Sequence, residues 1–216
     1  MIHVGLTGGI GSGKTLALRV FGSFGARTLD ADSVVHGLYA PGSEMCGYLR
    51  DRWGSAVLSS DGSVNRVAVS RIVFASQREL SWLGSLIHPL VREIFLAEAS
   101  RPGPPLFCAV PLLHEAGWSG DFGLVASLWC DHRTQWDRLR SRGWSAGQIR
   151  QRTARQLSMD EKLLRSDIGL MNTGSIDLLA RQCRHLYKMV SDGRFQPTWK
   201  DKEDDRRFRR EERGCG

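Results

Sequence analysis

Eight residues near the start of the chain, Gly8-Gly9-Ile10-Gly11-Ser12-Gly13-Lys14-Thr15, constrain its fold more than any other segment. They fit the pattern G-x-x-x-x-G-K-[ST], which has physical meaning only between a strand and a helix. Both neighbours are legible. Ile2-His3-Val4-Gly5-Leu6 alternates apolar residues with others and predicts a strand. Ala17, Val20, Phe21 and Phe24 then recur at the spacing of one helix face, with Gly25 placed as a C-terminal cap. Glycines let such a loop turn tightly and approach an anion without a Cβ in the way. The loop amides and the positive end of the helix then surround a phosphate. Lys14 is placed to reach the β- and γ-phosphates, and the Thr15 hydroxyl to ligate Mg²⁺. A nucleoside triphosphate site built from Gly9, Ile10, Gly11, Ser12, Gly13, Lys14, Thr15 and Leu16 is the expectation.

The rest of the chain supplies the layers. Arg27 to Asp30 predicts a second strand, and residues 33–100 read as mostly helical, with turns at Gly42 and at Ser59-Ser60-Asp61-Gly62. His88-Pro89 predicts a helix end inside that stretch, because proline disfavours helix at the preceding residue. Arg101-Pro102-Gly103-Pro104-Pro105 is a hard break. Leu106 to Val110 is a continuous apolar run of the kind found in parallel strands buried on both faces, and Leu124 to Trp129 is another. Residues 132–164 read as helical with a turn at Arg142-Gly143, and Ile168 to Met171 as a fifth strand. Ser175 is a natural N-cap for a last helix, whose buried stripe is Leu179, Cys183, Leu186 and Val190. Strands alternating with helices predict a five-stranded parallel sheet with helices on both faces.

Composition narrows the classes. Hydrophobic residues make up 41% and charged residues 25% of 216, which excludes a wholly disordered chain. No apolar run approaches a membrane span, and the N-terminal segment has no secretory pattern, so a cytoplasmic protein is expected. The five cysteines match no metal or redox spacing; Cys108, Cys130 and Cys183 sit in apolar segments and read as buried thiols. The net charge of +7 suits a small anionic substrate or a nucleic acid equally. Residues 194–216 crowd eight bases against six acids with almost no apolar periodicity, which predicts a solvated tail with a weak field. A monomer with neither nucleic-acid nor membrane partners is expected.

The loop alone is shared by GTPases, helicase-like ATPases and small kinases. No N-K-x-D guanine signature is present, which favours a kinase. Asp30-Ala31-Asp32 follows the second strand at the sheet edge where α/β proteins bind ligands. On extended backbone the two carboxylates point to one side. One is expected to cap the next helix, and the other to accept a proton from an attacking hydroxyl or hold a magnesium-bound water.

Taken together, Leu6 to Lys14, Asp30-Ala31-Asp32, His88-Pro89-Leu90, Val110-Pro111-Leu112-Leu113 with Glu115, and Asp167 with Asn172 resemble the dephospho-CoA kinase family over about residues 1–190. The resemblance implies a P-loop kinase fold in which ATP phosphorylates the 3′-hydroxyl of the ribose of dephospho-CoA. It implies residues 33–100 as a helical CoA-binding insertion and 132–165 as a helical lid. Asp32 matches the family's base, Arg142 its lid arginine, His88 a position near the acceptor, and Asn172 a position near the adenine. Arg138 and Arg140 lie on the same basic segment. Many members carry Asp where this chain has Ala109, leaving Thr15, phosphates, water and an acid such as Asp32 or Glu115 to hold magnesium. His114-Glu115 replaces the common Phe-Glu. Other small kinases acting on nucleosides or nucleotides, and a nucleotide-dependent nucleic-acid module using the tail, are the rival classes.

Overall fold

A computed structural model describes residues 3–194 of the chain. Five strands, β1 (His3–Gly8), β2 (Arg27–Asp30), β3 (Leu106–Ala109), β4 (Leu124–Trp129) and β5 (Ile168–Met171), form one sheet. It is parallel throughout, in the order β2-β3-β1-β4-β5. Helix α1 (Lys14–Ser23) joins β1 to β2. Four helices separate β2 from β3: α2 (Ala31–Leu38), α3 (Glu44–Trp53), α4 (Arg66–Ala75) and α5 (Gln77–Ser100). Between β4 and β5 come α6 (His132–Ser141), α7 (Ala146–Thr153) and α8 (Met159–Leu164), and α9 (Ile176–Ser191) ends the described chain.

The unbroken apolar character of β3 follows from burial on both faces. Leu106 and Cys108 face a core shared with α2 to α5. Phe107 and Ala109 face the opposite core, shared with α1 and α9. Phe107 is fully buried and stacks on Phe21 of α1 with ring centroids 3.9 Å apart. The expected stripe of α9, Leu179, Cys183, Leu186 and Val190, is buried, and Ser175 caps that helix by accepting from the Leu178 N–H at 3.2 Å.

Gly25 does what its place after α1 requires. Its φ is +89°, its N–H donates to the Gly22 carbonyl at 3.0 Å, and the Ala26 N–H reaches the Phe21 carbonyl at 3.2 Å. This paired closure needs a left-handed residue, which glycine supplies without a Cβ penalty.

The prolines and turns between 33 and 164 fall differently from expectation at two places. Helix α5 does not end at His88; it continues through Pro89 for 24 residues in all. Leu83, Ile87, Val91 and Phe95 are buried on both sides of the proline. Proline inside a helix costs about 3 kcal/mol, while burying each such side chain returns roughly 1.5–3 kcal/mol, so packing overrides the local preference. The stretch 132–164 breaks twice: at Gly143, whose φ is +81°, and again between α7 and α8. Ser145 and Ser158 start α7 and α8, each with a reciprocal capping box.

Four cysteines, Cys46, Cys108, Cys130 and Cys183, are buried free thiols, and burial pushes Cys108 and Cys183 up to about 12. At the outer strand β5, the Gln182 side chain accepts from the Met171 N–H and donates to the Met171 carbonyl, both at 2.9 Å. Among the described residues no helix is long and apolar enough to cross a membrane. The charged tail expected beyond α9 lies almost wholly outside the described residues.

Replacing Phe107 by Ala removes the stacked ring beneath α1, and the expected loss of stability is about 3–5 kcal/mol. Urea unfolding followed by circular dichroism reads it. A loss under about 1 kcal/mol, the range of a surface change, would show that this core is anchored elsewhere.

Candidate active site

The loop between β1 and α1 presents amides to a ligand only if its carbonyls turn outward and find donors there, because an unpaired buried backbone group is costly. Such donors are in place. Lys14 Nζ donates to the Gly8 carbonyl at 2.8 Å and the Gly9 carbonyl at 3.1 Å. Gln135 Nε2 of α6 donates to the Ile10 carbonyl at 2.8 Å. Arg138 reaches the Gly11 carbonyl at 3.5 Å, and Asn172 Nδ2 donates to the Ser12 carbonyl at 2.7 Å. The Gly13 carbonyl accepts from the Ala17 N–H, the first turn of α1.

Asn172 also explains Gly13. That residue has φ +103°, and a Cβ there would collide with the Asn172 amide. Asn172 itself is 3% exposed, and Arg138 Nη2 donates to its backbone carbonyl at 2.9 Å and to its Oδ1 at 3.3 Å. The loop is thus braced from β5 and from α6 together.

Asp30 and Asp32 stand at the carboxyl end of β2 but not as a matched pair on extended backbone. The chain turns into α2 at Ala31, so Asp30 ends the strand and caps the helix, accepting from the Asp32 N–H at 3.0 Å. Burial pushes the Asp30 carboxyl up from its ordinary range. Asp32 lies in the first turn of α2 and is exposed. Both carboxylates act electrostatically on Lys14.

Lys14 carries an unusual balance. Burial pulls its ammonium down to about 8, and the nearby Lys162 pulls the same way, against Asp32, Asp30 and Glu115. Lys162 of α8 is fully buried, donating to the Pro111 carbonyl at 2.7 Å and pairing with Glu115 Oε1 at 2.7 Å. Burial lowers the Lys162 ammonium too, and Glu115 opposes that. Glu115 also accepts from the Leu157 N–H at 2.9 Å, so it is engaged by α8 and the segment before it. His114 bridges the hydroxyls of Ser119 and Ser166, each at 3.0 Å, and burial with the neighbouring Lys162 brings its imidazole down to about 4.

The remaining expected residues lie farther apart. Thr15 is exposed in the first turn of α1, beside half-buried Leu16. Ala109 ends β3 in register with Asp30 and Leu6, and its methyl packs in the core beneath α1. His88 stands on α5, edge-on to Trp118 with centroids 5.6 Å apart, and burial lowers its imidazole. Arg142 caps the end of α6 and is exposed, with no side-chain hydrogen bond among the described residues. Farther along this segment, Arg155 donates to the Phe74 carbonyl at 3.1 Å and lies over the Phe74 ring, joining the end of α7 to α4.

Gln135, Gln156 and Lys162 belong to the site and carry no motif. Gln135 and Lys162 are polar residues on helices whose buried face a single sequence does not mark. Gln156 follows α7 and accepts from the Ile10 N–H at 3.0 Å, a contact across 146 residues.

A phosphate-cradling loop after the central strand of a parallel sheet in this order, with a basic helical segment above it, defines a P-loop kinase. The dephospho-CoA kinase family model matches residues 2–177, and the chain belongs to that family. A dephospho-CoA kinase of Symbiobacterium thermophilum is 37% identical over 195 residues, covering 88% of this chain and 82% of the relative. One of Burkholderia thailandensis is 35% identical, covering 87% and 95%. A crystal structure from Thermus thermophilus superposes with a TM-score of 0.74 at 29% identity, covering 88% of this chain and 97% of the other.

Lys14 must be protonated to stabilise phosphate, and its value of about 8 belongs to the free protein. The expected kcat/KM for ATP therefore falls as pH rises through about 8. At saturating ATP the bound phosphates raise that value, so kcat holds to higher pH. Alkaline limbs that coincide in the two profiles would remove Lys14 as their source.

Proposed function

We propose that the protein transfers the γ-phosphoryl group of ATP to the ribose 3′-hydroxyl of dephospho-CoA, giving CoA and ADP. The observation that carries this reading is the exposed carboxylate of Asp32 in the first turn of α2, at the same carboxyl edge of the sheet as the phosphate loop. With Asp30 committed to its cap, Asp32 is the acid left to orient the hydroxyl and take its proton. The 3′-oxygen forms its bond to the γ-phosphorus as the bond to the β-bridging oxygen breaks, and ADP leaves. Positioning and charge supply most of such a barrier reduction. The loop amides from Gly9 to Thr15 hold the phosphates, with Leu16 behind them, and Lys14 neutralises the outer phosphates.

Residues 132–165 act as the lid in this reading, and residues 33–100 as the acceptor-binding region. Arg142 closes over the phosphates and excludes water. Arg138, one turn earlier, already braces the loop. His88 contributes to the acceptor region and Asn172 to the adenine end. The Arg155–Phe74 contact supports a lid that meets the acceptor region directly.

Among the described residues no group of three His, Cys, Asp or Glu side chains is arranged to hold a metal. Mg²⁺ keeps several waters and binds through few protein ligands and substrate phosphates. In this reading the Thr15 hydroxyl would be the protein ligand, and Asp32 would hold a magnesium-bound water. When bound, the ion neutralises β- and γ-phosphate oxygens. Ala109 brings no carboxylate, and Glu115 is taken by Lys162. The buried thiols suit a reducing, cytoplasmic setting, where we place the enzyme as a monomer.

Mass detection of one phosphate added to dephospho-CoA with ATP and magnesium tests the reaction, with nucleosides assayed in parallel. Phosphorylation of a nucleoside while dephospho-CoA stays untouched sinks the proposal. Asp32→Asn is expected to cut kcat by about 10²–10⁴-fold with ATP binding largely intact, and Lys14→Ala to cost at least about 10²-fold. Near-normal turnover by Asp32→Asn removes it from the base role.

A further inference from the structure

Ile10 is held by glutamine side chains at both of its polar backbone groups. Gln135 donates to its carbonyl at 2.8 Å, and Gln156 Oε1 accepts from its N–H at 3.0 Å. The two contacts are not equivalent. An outward carbonyl needs its donor in every state of the loop. An amide of a phosphate-binding loop is what a phosphate oxygen takes. The Gln156 amide oxygen therefore stands where an oxygen of the ligand belongs.

Which phosphate competes for that amide follows from position. Ile10 lies four residues before α1, at the end of the loop away from the helix N-terminus. Lys14 Nζ bonds the carbonyls of Gly8 and Gly9 at this same end. In this motif the lysine reaches the outer phosphates. The Ile10 amide thus serves the terminal phosphate, which ATP has and ADP lacks.

Gln156 also lies between two anchored neighbours. The next residue, Leu157, is fastened through its N–H to Glu115, and Glu115 to the buried Lys162. The segment joining α7 to α8 is therefore fixed by Glu115 on its α8 side and by Arg155 on its α7 side, and between them Gln156 makes a bond that a ligand can replace.

We infer that Gln156 is a positioning residue for the terminal phosphate: its side-chain oxygen holds the Ile10 amide and yields it to that phosphate. The inference rests on the kinase reading through ATP alone and not on the acceptor. Calorimetric binding of ATP and of ADP, with magnesium and without acceptor, tests it on the full chain. In Gln156→Ala the competitor is gone, so ATP binds about fivefold more tightly while ADP changes by less than about twofold. A merely structural glutamine gives the opposite sign for both nucleotides. In Gln156→Glu the carboxylate grips the amide harder and repels the terminal phosphate, so ATP weakens more than ADP. Weaker ATP binding by Gln156→Ala, or equal or absent changes for the two nucleotides, overturns the inference. Should Gln156→Ala not fold, Gln156→Glu decides on the same ATP-to-ADP comparison. Dephospho-CoA left unphosphorylated by the wild-type protein defeats the acceptor assignment and leaves this result standing.

Discussion

Everything at the active edge of this sheet depends on where the carbonyls of one short loop point. A peptide unit directs its N–H and C=O oppositely, so amides can converge on an anion only if the carbonyls behind them are bonded elsewhere. Here those bonds come from Gln135 and Arg138 on α6, from Asn172 after β5 and from Lys14 itself. Helix α6 and the end of β5 therefore act as the outer wall of the loop. Their own placement follows from β4, which lies between β1 and β5 and leads into α6. The sheet order is in this sense a requirement of the phosphate site.

The second organising feature is a cluster of like and unlike charges taken partly out of water. Two ammonium groups, Lys14 and Lys162, are both held below their ordinary range by burial, and Lys162 lowers Lys14 further. A fully buried lysine survives only with a partner and satisfied hydrogen bonds. Glu115 and the Pro111 carbonyl provide both. This arrangement ties the segment after β3 to α8, while Asp30 and Asp32 offset the positive field from the β2 side. Before Glu115, His114 sits between two hydroxyls, and burial keeps its imidazole neutral.

Much of this was legible in the sequence where one local rule decided the outcome. The glycine-rich loop, the cap at Gly25, the doubly buried run of β3 and the stripe of α9 each follow from spacing or from a backbone angle. Elements set by contacts far along the chain were not. Pro89 reads as a helix end because the buried stripe from Leu83 to Phe95 is invisible to a local rule. Asp30 and Asp32 read as a pair on one strand face because the turn into α2 falls between them. Gln135 and Lys162 look like ordinary polar positions on surface helices, and Gln156 like one in the turn after α7. Their importance comes from partners more than forty residues away.

One small clasp has a consequence for the protein in crowded solution. The Gln182 amide meets both polar groups of Met171 as a neighbouring strand does. Unpaired strand margins invite other chains to add themselves and grow into aggregates. A side chain from helix α9 has taken the place such an intruder needs at Met171. At the end of β5 the margin of the sheet is thus closed from within, at the one residue where an added strand would have to finish its pairing.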